Sequence, residues 1–101
     1  MMSLENLPGL YETEDTPFDE KVIYAVYTIP YLKNFYWLLA EYDPEEKIAF
    51  GYACLGDELM AEWGYIYMPE VESVDAKHIN HFKPLPFPEA KKMVDSLDDL
   101  L

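Results

Sequence analysis

Residues 35–55, FYWLLAEYDPEEKIAFGYACL, carry the pattern that decides the fold. Two apolar, aromatic-rich runs flank Asp43-Pro44-Glu45-Glu46-Lys47. That pentapeptide is a turn: Asp caps it, Pro presets φ, and the charges stay in water. The first run, 35–42, is apolar on both faces over much of its length, as a central strand should be. The second run, 48–55, sorts its residues by parity. Ile48, Phe50, Tyr52 and Cys54 share one face, and the small Ala49, Gly51 and Ala53 share the other. Small side chains on one face predict that another element, a helix, packs closely there.

Outward from this pair, residues 21–29 (KVIYAVYTI) are rich in β-branched and aromatic side chains and end at Pro30, which predicts a strand. After the turn at Gly56-Asp57-Glu58, residues 62–68 (EWGYIYM) predict a fourth. Pro69 suits the first position of a short helix reaching Val74. Residues 78–83 read as a last, short extended piece. Pro84, Pro86 and Pro88 then enforce an extended link. From Pro88 a helix follows, with Ala90, Met93, Val94, Leu97 and Leu101 on one stripe. Its last turn holds Asp95, Asp98 and Asp99 against the helix dipole, so that end should fray. The first twenty residues, punctuated by Pro8-Gly9, read as irregular. The expectation is one α+β domain over residues 1–101. Its antiparallel sheet has four to five strands, with a short helix after strand four and a C-terminal helix.

Composition narrows the function classes. With 101 residues, half of them hydrophobic and 16% aromatic, the chain can bury one real core. Cys54 is the single cysteine, so no intramolecular disulfide forms, and a reducing, cytoplasmic setting is expected. No secretory leader pattern or bilayer-spanning run is visible. Twenty Asp and Glu face seven Lys and no Arg, for a net charge of −13. Without a guanidinium fork, and with this sign of charge, direct binding to nucleic acid or to anionic membranes is not expected. A partner recruited electrostatically should be basic. The bland alternative is that the charge serves only solubility.

A plain up-and-down meander is the simplest topology for such short connections. It would bring Asp19, Glu20, Glu41, Asp43, Glu45, Glu46, Glu70, Glu72 and Asp75 to one end, joined by Glu12, Glu14 and Asp15. The opposite end would hold only Asp57, Glu58 and Glu62. Spread evenly, the net charge is several-fold too dilute to imitate DNA, which carries roughly one charge per 110 Å² of its cylinder. Concentrated on one end it reaches about one per 160 Å². Mimicry therefore depends on the asymmetry.

Other constellations are weaker. Asp75, His78 and His81 stand at i, i+3 steps and would share a helical face that could hold a metal. No further strong ligand supports them, and a polar surface segment is the reading taken. No cofactor is expected. Cys54 with a histidine could form a nucleophile and base, but a cysteine within an apolar strand is the setting of an inert buried thiol. No phosphate-cradling glycine loop or nucleophile elbow occurs. Tyr24, Tyr27, Tyr31, Tyr36, Tyr65 and Tyr67 cannot all be core. Some cover the sheet, and those beside carboxylates suit interface anchoring.

Several short motifs occur together: LPGLYETE at 7–14, EYDPE at 41–45 with FGY at 50–52, and EWGY at 62–65 leading to EVESV at 70–74. In these, over about residues 7 to 75, the chain resembles a small bacterial family of unassigned function. The resemblance implies encoding on plasmids, integrative elements and phages, often near anti-restriction genes. It carries no catalytic residues, and after Asp75 the chain departs from the pattern. The combined expectation is a non-catalytic acidic inhibitor, monomeric or weakly dimeric. It would block the basic groove of a nucleic-acid-binding defence nuclease (anti-CRISPR or anti-restriction) as a DNA mimic. Asp43, Glu45, Glu46, Glu70 and Glu72 would supply charge, and Tyr42 and Tyr67 would anchor. The alternative is a mobile-element scaffold protein, binding through its sheet or C-terminal helix.

Overall fold

The β-branched and aromatic runs form strands, and their short connections force neighbours to pair antiparallel. A computed structural model describes residues 4–79 and 82–100, the last four by backbone alone. Strands β1 (Val22–Ile23), β2 (Ala25–Thr28), β3 (Phe35–Asp43), β4 (Ile48–Leu55) and β5 (Glu62–Tyr67) come first. Helix α1 (Met68–Ser73), β6 (Lys77–His78), β7 (Leu85–Pro86) and helix α2 (Phe87–Leu100) follow. The main sheet has the order β5-β4-β3-β2-β6, with every pairing antiparallel. The fold is α+β. The meander runs from β2 to β5, and β3 lies at the sheet's centre, as its two-sided apolar pattern requires.

The strand expected over 21–29 divides at Tyr24. Beyond the division, β2 enters the main sheet. Before it, β1 pairs with β7 in a two-stranded ribbon, Val22 opposite Pro86 and Ile23 opposite Leu85. The proline-rich link is therefore a strand at an edge, where the missing N–H of proline is tolerated. Phe87 N–H closes the ribbon by donating to Lys21 O at 2.9 Å. This clamp launches α2 across the sheet.

Each sheet face has its own core. On one, Ala25, Tyr27, Trp37, Leu39, Ala49 and Ile66 pack under Leu7 and under Met68 and Val71 of α1. On the other, Val26, Tyr36, Leu38 and Cys54 pack under Phe87, Ala90 and Val94 of α2. Ala90 and Val94 are fully buried, and a buried valine contributes roughly 1.5–3 kcal/mol relative to an exposed one. Packing thus holds α2 on the sheet as far as Val94, ahead of a last turn with no basic residue to offset the dipole. The long helix covers the large-residue face of β4, and the helix expected over Ala49, Gly51 and Ala53 is the short one, α1, which packs beside Ala49. The short helix and the N-terminal segment cover part of the small-residue face. Gly51 has a different reason to be small: a Cβ there would lie 2.1 Å from Leu38 O.

That close approach belongs to a β-bulge between Leu39 and Glu41, where Leu39 opposes Gly51 but Glu41 opposes Phe50. The extra residue, Ala40, breaks the alternation. Plain alternation would return Glu41 to the face of Leu39; the bulge turns it to the face of Phe50. There the Glu41 carboxylate accepts hydrogen bonds from Tyr11 N–H at 2.8 Å, Thr13 N–H at 2.9 Å and the Thr13 hydroxyl. Lys21 Nζ donates to Thr13 O and, at 3.0 Å, to Thr13 Oγ1. Glu41 and Lys21 are each only 3% exposed, so Thr13 joins two buried charges. The N-terminal segment is thereby strapped round the sheet end: Leu7 lies on one face, Pro8 O accepts from Tyr42 N–H at 2.8 Å, and Tyr11 to Phe18 reach the other face.

Two outcomes follow. Gly51→Ala should lower stability by about 1–3 kcal/mol through overpacking. Gly64→Ala, where a Cβ would meet nothing within 4 Å, should be neutral or stabilise by up to about 1 kcal/mol. Urea midpoints of the two variants check this. Glu41→Ala should leave the part-buried donors of Tyr11 and Thr13 without an acceptor, at about 1–3 kcal/mol in all. Hydrogen exchange at the Tyr11 and Thr13 amides should quicken far more than exchange in β3 and β4.

Candidate functional site: the acidic end of the sheet

The β3–β4 turn builds this end from local chemistry. Asp43 Oδ1 accepts from Glu45 N–H at 3.0 Å, and Lys47 N–H donates to Asp43 O at 2.8 Å. Lys47 closes the reversal with φ of 59°. Met68 N–H then donates to Lys47 O at 3.0 Å, docking the start of α1 on the turn. Glu70 and Glu72 are thus carried to the same end as Asp43, Glu45 and Glu46, and four of the five are exposed, with Asp43 half-buried. Half-buried Tyr42 records the crowding: burial first, then Glu72, Glu5 and Asp43, push its hydroxyl above the ordinary tyrosine value. Burial followed by Glu72 does the same to Tyr27. Tyr67 immediately precedes α1 and is 51% exposed.

The acidic end is smaller than the sequence predicts. Glu41 is interior and occupied with the N-terminal strap, so it adds nothing to a surface. Asp19 and Glu20 belong to a single helical turn, Phe18–Glu20, that contacts α2, and Phe18 stacks on Trp63 with ring centroids 5.0 Å apart. They therefore stand on the α2 face, away from α1. Glu12 bonds back to Gly9 N–H. The opposite end is richer than expected. Besides Asp57, Glu58 and Glu62 it receives Asp95, because Lys91 bridges Glu58 at 3.3 Å and Asp95 at 3.6 Å. Averaged over 6239 Å² of surface, the net charge is roughly one per 480 Å², far below the density of duplex DNA.

The other candidates resolve as follows. His78 lies on β6 and Asp75 in a left-handed turn before it, with φ of 62°. The helical face drawn through Asp75, His78 and His81 therefore does not form at the first two; His81 lies outside the described residues. No group of three or more His, Cys, Asp or Glu stands in metal-holding positions among the described residues. Cys54 is fully buried and its thiol is pushed up by burial, which disfavours the nucleophilic thiolate. Tyr27 and Tyr36 are core, Tyr24 is half-buried, and Tyr31, Tyr65 and Tyr67 are exposed. The Tyr36 hydroxyl is buried with no hydrogen-bond partner among the described residues. No described helix is long and apolar enough to cross a membrane. Compared with family models, with curated proteins and with solved structures, the chain matches none.

Sequence reasoning missed a run of exposed apolar side chains at the β4–β5 connection, Leu55, Leu59 and Met60. Leu59 and Met60 follow a turn signal inside an otherwise polar loop, GDELMAE, and that was the available cue.

His78 supplies a pH test. Its ring stacks on Tyr27 at 4.7 Å, and burial lowers its pKa. The unfolded chain therefore takes the proton first. The neutral ring's contribution is complete above the unfolded value of about 6.5 and falls away as pH drops toward the lowered folded value. Between pH 7.5 and 5.5 the protein should lose more stability than His78→Gln does. Urea titrations of the two proteins at both pH values measure the difference, in which the shared carboxylate contribution cancels.

Proposed function

We propose that the chain is a non-catalytic protein-binding domain whose acidic end seats on the basic surface of a nucleic-acid-binding protein and inhibits it by occupying that surface. The observation that carries this reading is the convergence of Asp43 and Glu72 on Tyr42, with Glu45, Glu46 and Glu70 exposed around them, in a chain without arginine. Carboxylates supply rapid, salt-sensitive encounter, and tyrosines add buried area with a polar tip. The narrower form, a mobile-element product directed at a restriction or CRISPR-type nuclease, rests only on the short motifs over residues 7 to 75, which no family model matches. Overall charge density does not support wholesale imitation of DNA; a local patch of five carboxylates beside Tyr42 and Tyr67 does suit the mouth of a basic groove. A cytoplasmic setting fits the buried free thiol of Cys54. For the scaffold alternative, Ala90 and Val94 on the apolar stripe of α2 are already packed in the core.

The immobilised protein should retain host proteins that elute in a salt gradient and are displaced by duplex DNA. Their affinity should fall about tenfold or more between low and physiological salt. Glu45→Lys combined with Glu46→Lys should abolish that retention while leaving the urea midpoint nearly unchanged. Retention indifferent to salt and to DNA would remove the groove-binding reading.

A further inference from the structure

The main sheet treats its two edges differently. The β6 edge is two residues long and carries Lys77, a short and charged edge of the kind that resists further pairing. The β5 edge is six residues long, Glu62–Tyr67, with no proline, no lysine and no bulge, and β5 ends the strand order. Every second residue of an antiparallel edge strand turns its N–H and C=O away from its neighbour. Those of β5 meet no other strand among the described residues.

Concavities lie along this edge. A groove of about 420 Å³ and another of about 300 Å³ share Ala53, Leu55, Tyr65 and Ile66 in their walls. The larger is floored by Trp37 and Phe35 and closed by Val71 of α1 and by Val74 just after it. It exists because α1 covers only part of the small-residue face, so Ala53 leaves depth where a larger side chain would fill the space. Leu55 and Tyr65 are 63% and 60% exposed. Gly64, at mid-edge, leaves open space beside the backbone. An added strand directs alternate side chains to one face, and here that face offers an apolar groove.

Charge selects the occupant. Asp57 and Glu62 line the smaller groove and Glu70 the larger. A second copy of the chain would bring the same carboxylates and another net −13 to this edge. A basic strand would be attracted to them.

We propose that the free edge of β5 accepts an extended segment of a partner protein as an added antiparallel or parallel strand. Apolar side chains of that segment enter the groove beside Trp37 and Leu55, and its lysines or arginines meet Asp57, Glu62 and Glu70. This is strand addition, in which main-chain hydrogen bonds hold the ligand and side-chain pockets select it. It stands on the unpaired backbone of β5 and does not require Asp43, Glu45 or Glu46 to bind anything.

The probe is a capped synthetic peptide of roughly eight residues, a typical strand length, with valine at alternate central positions and lysines at both ends. Titrated into the unaltered protein, it should perturb the amide resonances of β5 and slow their hydrogen exchange, leaving β6 and α2 unmoved. A version N-methylated at every second residue keeps charge and side chains but loses one edge of donors. It should bind about tenfold or more weakly. A glutamate-for-lysine version should not bind. Tyr65→Lys, a surface change checked for folding by circular dichroism, should weaken the lysine peptide, while Glu45→Lys with Glu46→Lys should leave its exchange footprint on β5 in place. Equal binding of the methylated peptide, or shifts centred away from β5, would overturn the proposal. So would a peptide-free dimer paired through β5, which would make a second copy the occupant.

Discussion

A carboxylate inside the protein organises much of what surrounds it. Glu41 sits in the apolar central strand, and a charge there is tolerable only if its oxygens are occupied by donors. The β-bulge at Ala40 aims it at Tyr11 and Thr13, and Thr13 in turn occupies the Lys21 ammonium. Three otherwise separate features depend on this arrangement. The bulge brings the backbone of Leu38 and Leu39 so close that position 51 must be glycine. The carboxylate draws an irregular N-terminal segment round the end of the sheet. Lys21 lies at the root of the β1–β7 ribbon, whose last hydrogen bond starts α2. Twelve residues of strap and a fourteen-residue helix are thus placed from one corner of the sheet.

That corner also separates structural charge from available charge. Of the acidic side chains expected at this end, Glu41 is interior, and Asp19 and Glu20 stand on the other face. What remains outward includes the group on the β3–β4 turn and α1, gathered near Tyr42 because Met68 bonds to Lys47, while Glu14, Asp15 and Asp75 are also exposed. A smaller patch argues for a contact of local extent, strong in steering and dependent on adjacent aromatic surface for hold. The open edge of β5 provides such surface a short distance along the same strand that ends at Tyr67. The two proposed surfaces, one of carboxylates and one of strand backbone, therefore adjoin at Tyr67 and Glu70.

Much of the fold is legible in residues 35–55. The turn chemistry of Asp43-Pro44 appears as drawn, Asp43 bonding forward to Glu45. The centrality of β3 follows from its two-sided apolar pattern. The reading of Ala49, Gly51 and Ala53 held only in part, because a helix does pack on that face but small residues report close approach without saying of what. At Gly51 the neighbour is backbone, at Ala49 the core, and at Ala53 open space at the groove. The strand drawn over 21–29 failed at Tyr24 because pairing partners, not propensity, decide where a strand divides. The face drawn through Asp75 and His78 failed because β6 takes up its extended conformation by pairing with Tyr27 and Thr28.

The amino-acid sequence by itself determined the strand-forming runs, the turns between them, the two helices and the acidic sign of the surface. Each of these is set by neighbours along the chain: alternation, proline geometry, helical spacing and composition. Only the tertiary structure decided which face α2 covers, that Glu41 points inward, how many carboxylates share one end, and that β5 ends the sheet among the described residues. Those outcomes rest on residues distant in sequence competing for one position in space. A bulge of a single residue is enough to move a charge from one side of the sheet to the other.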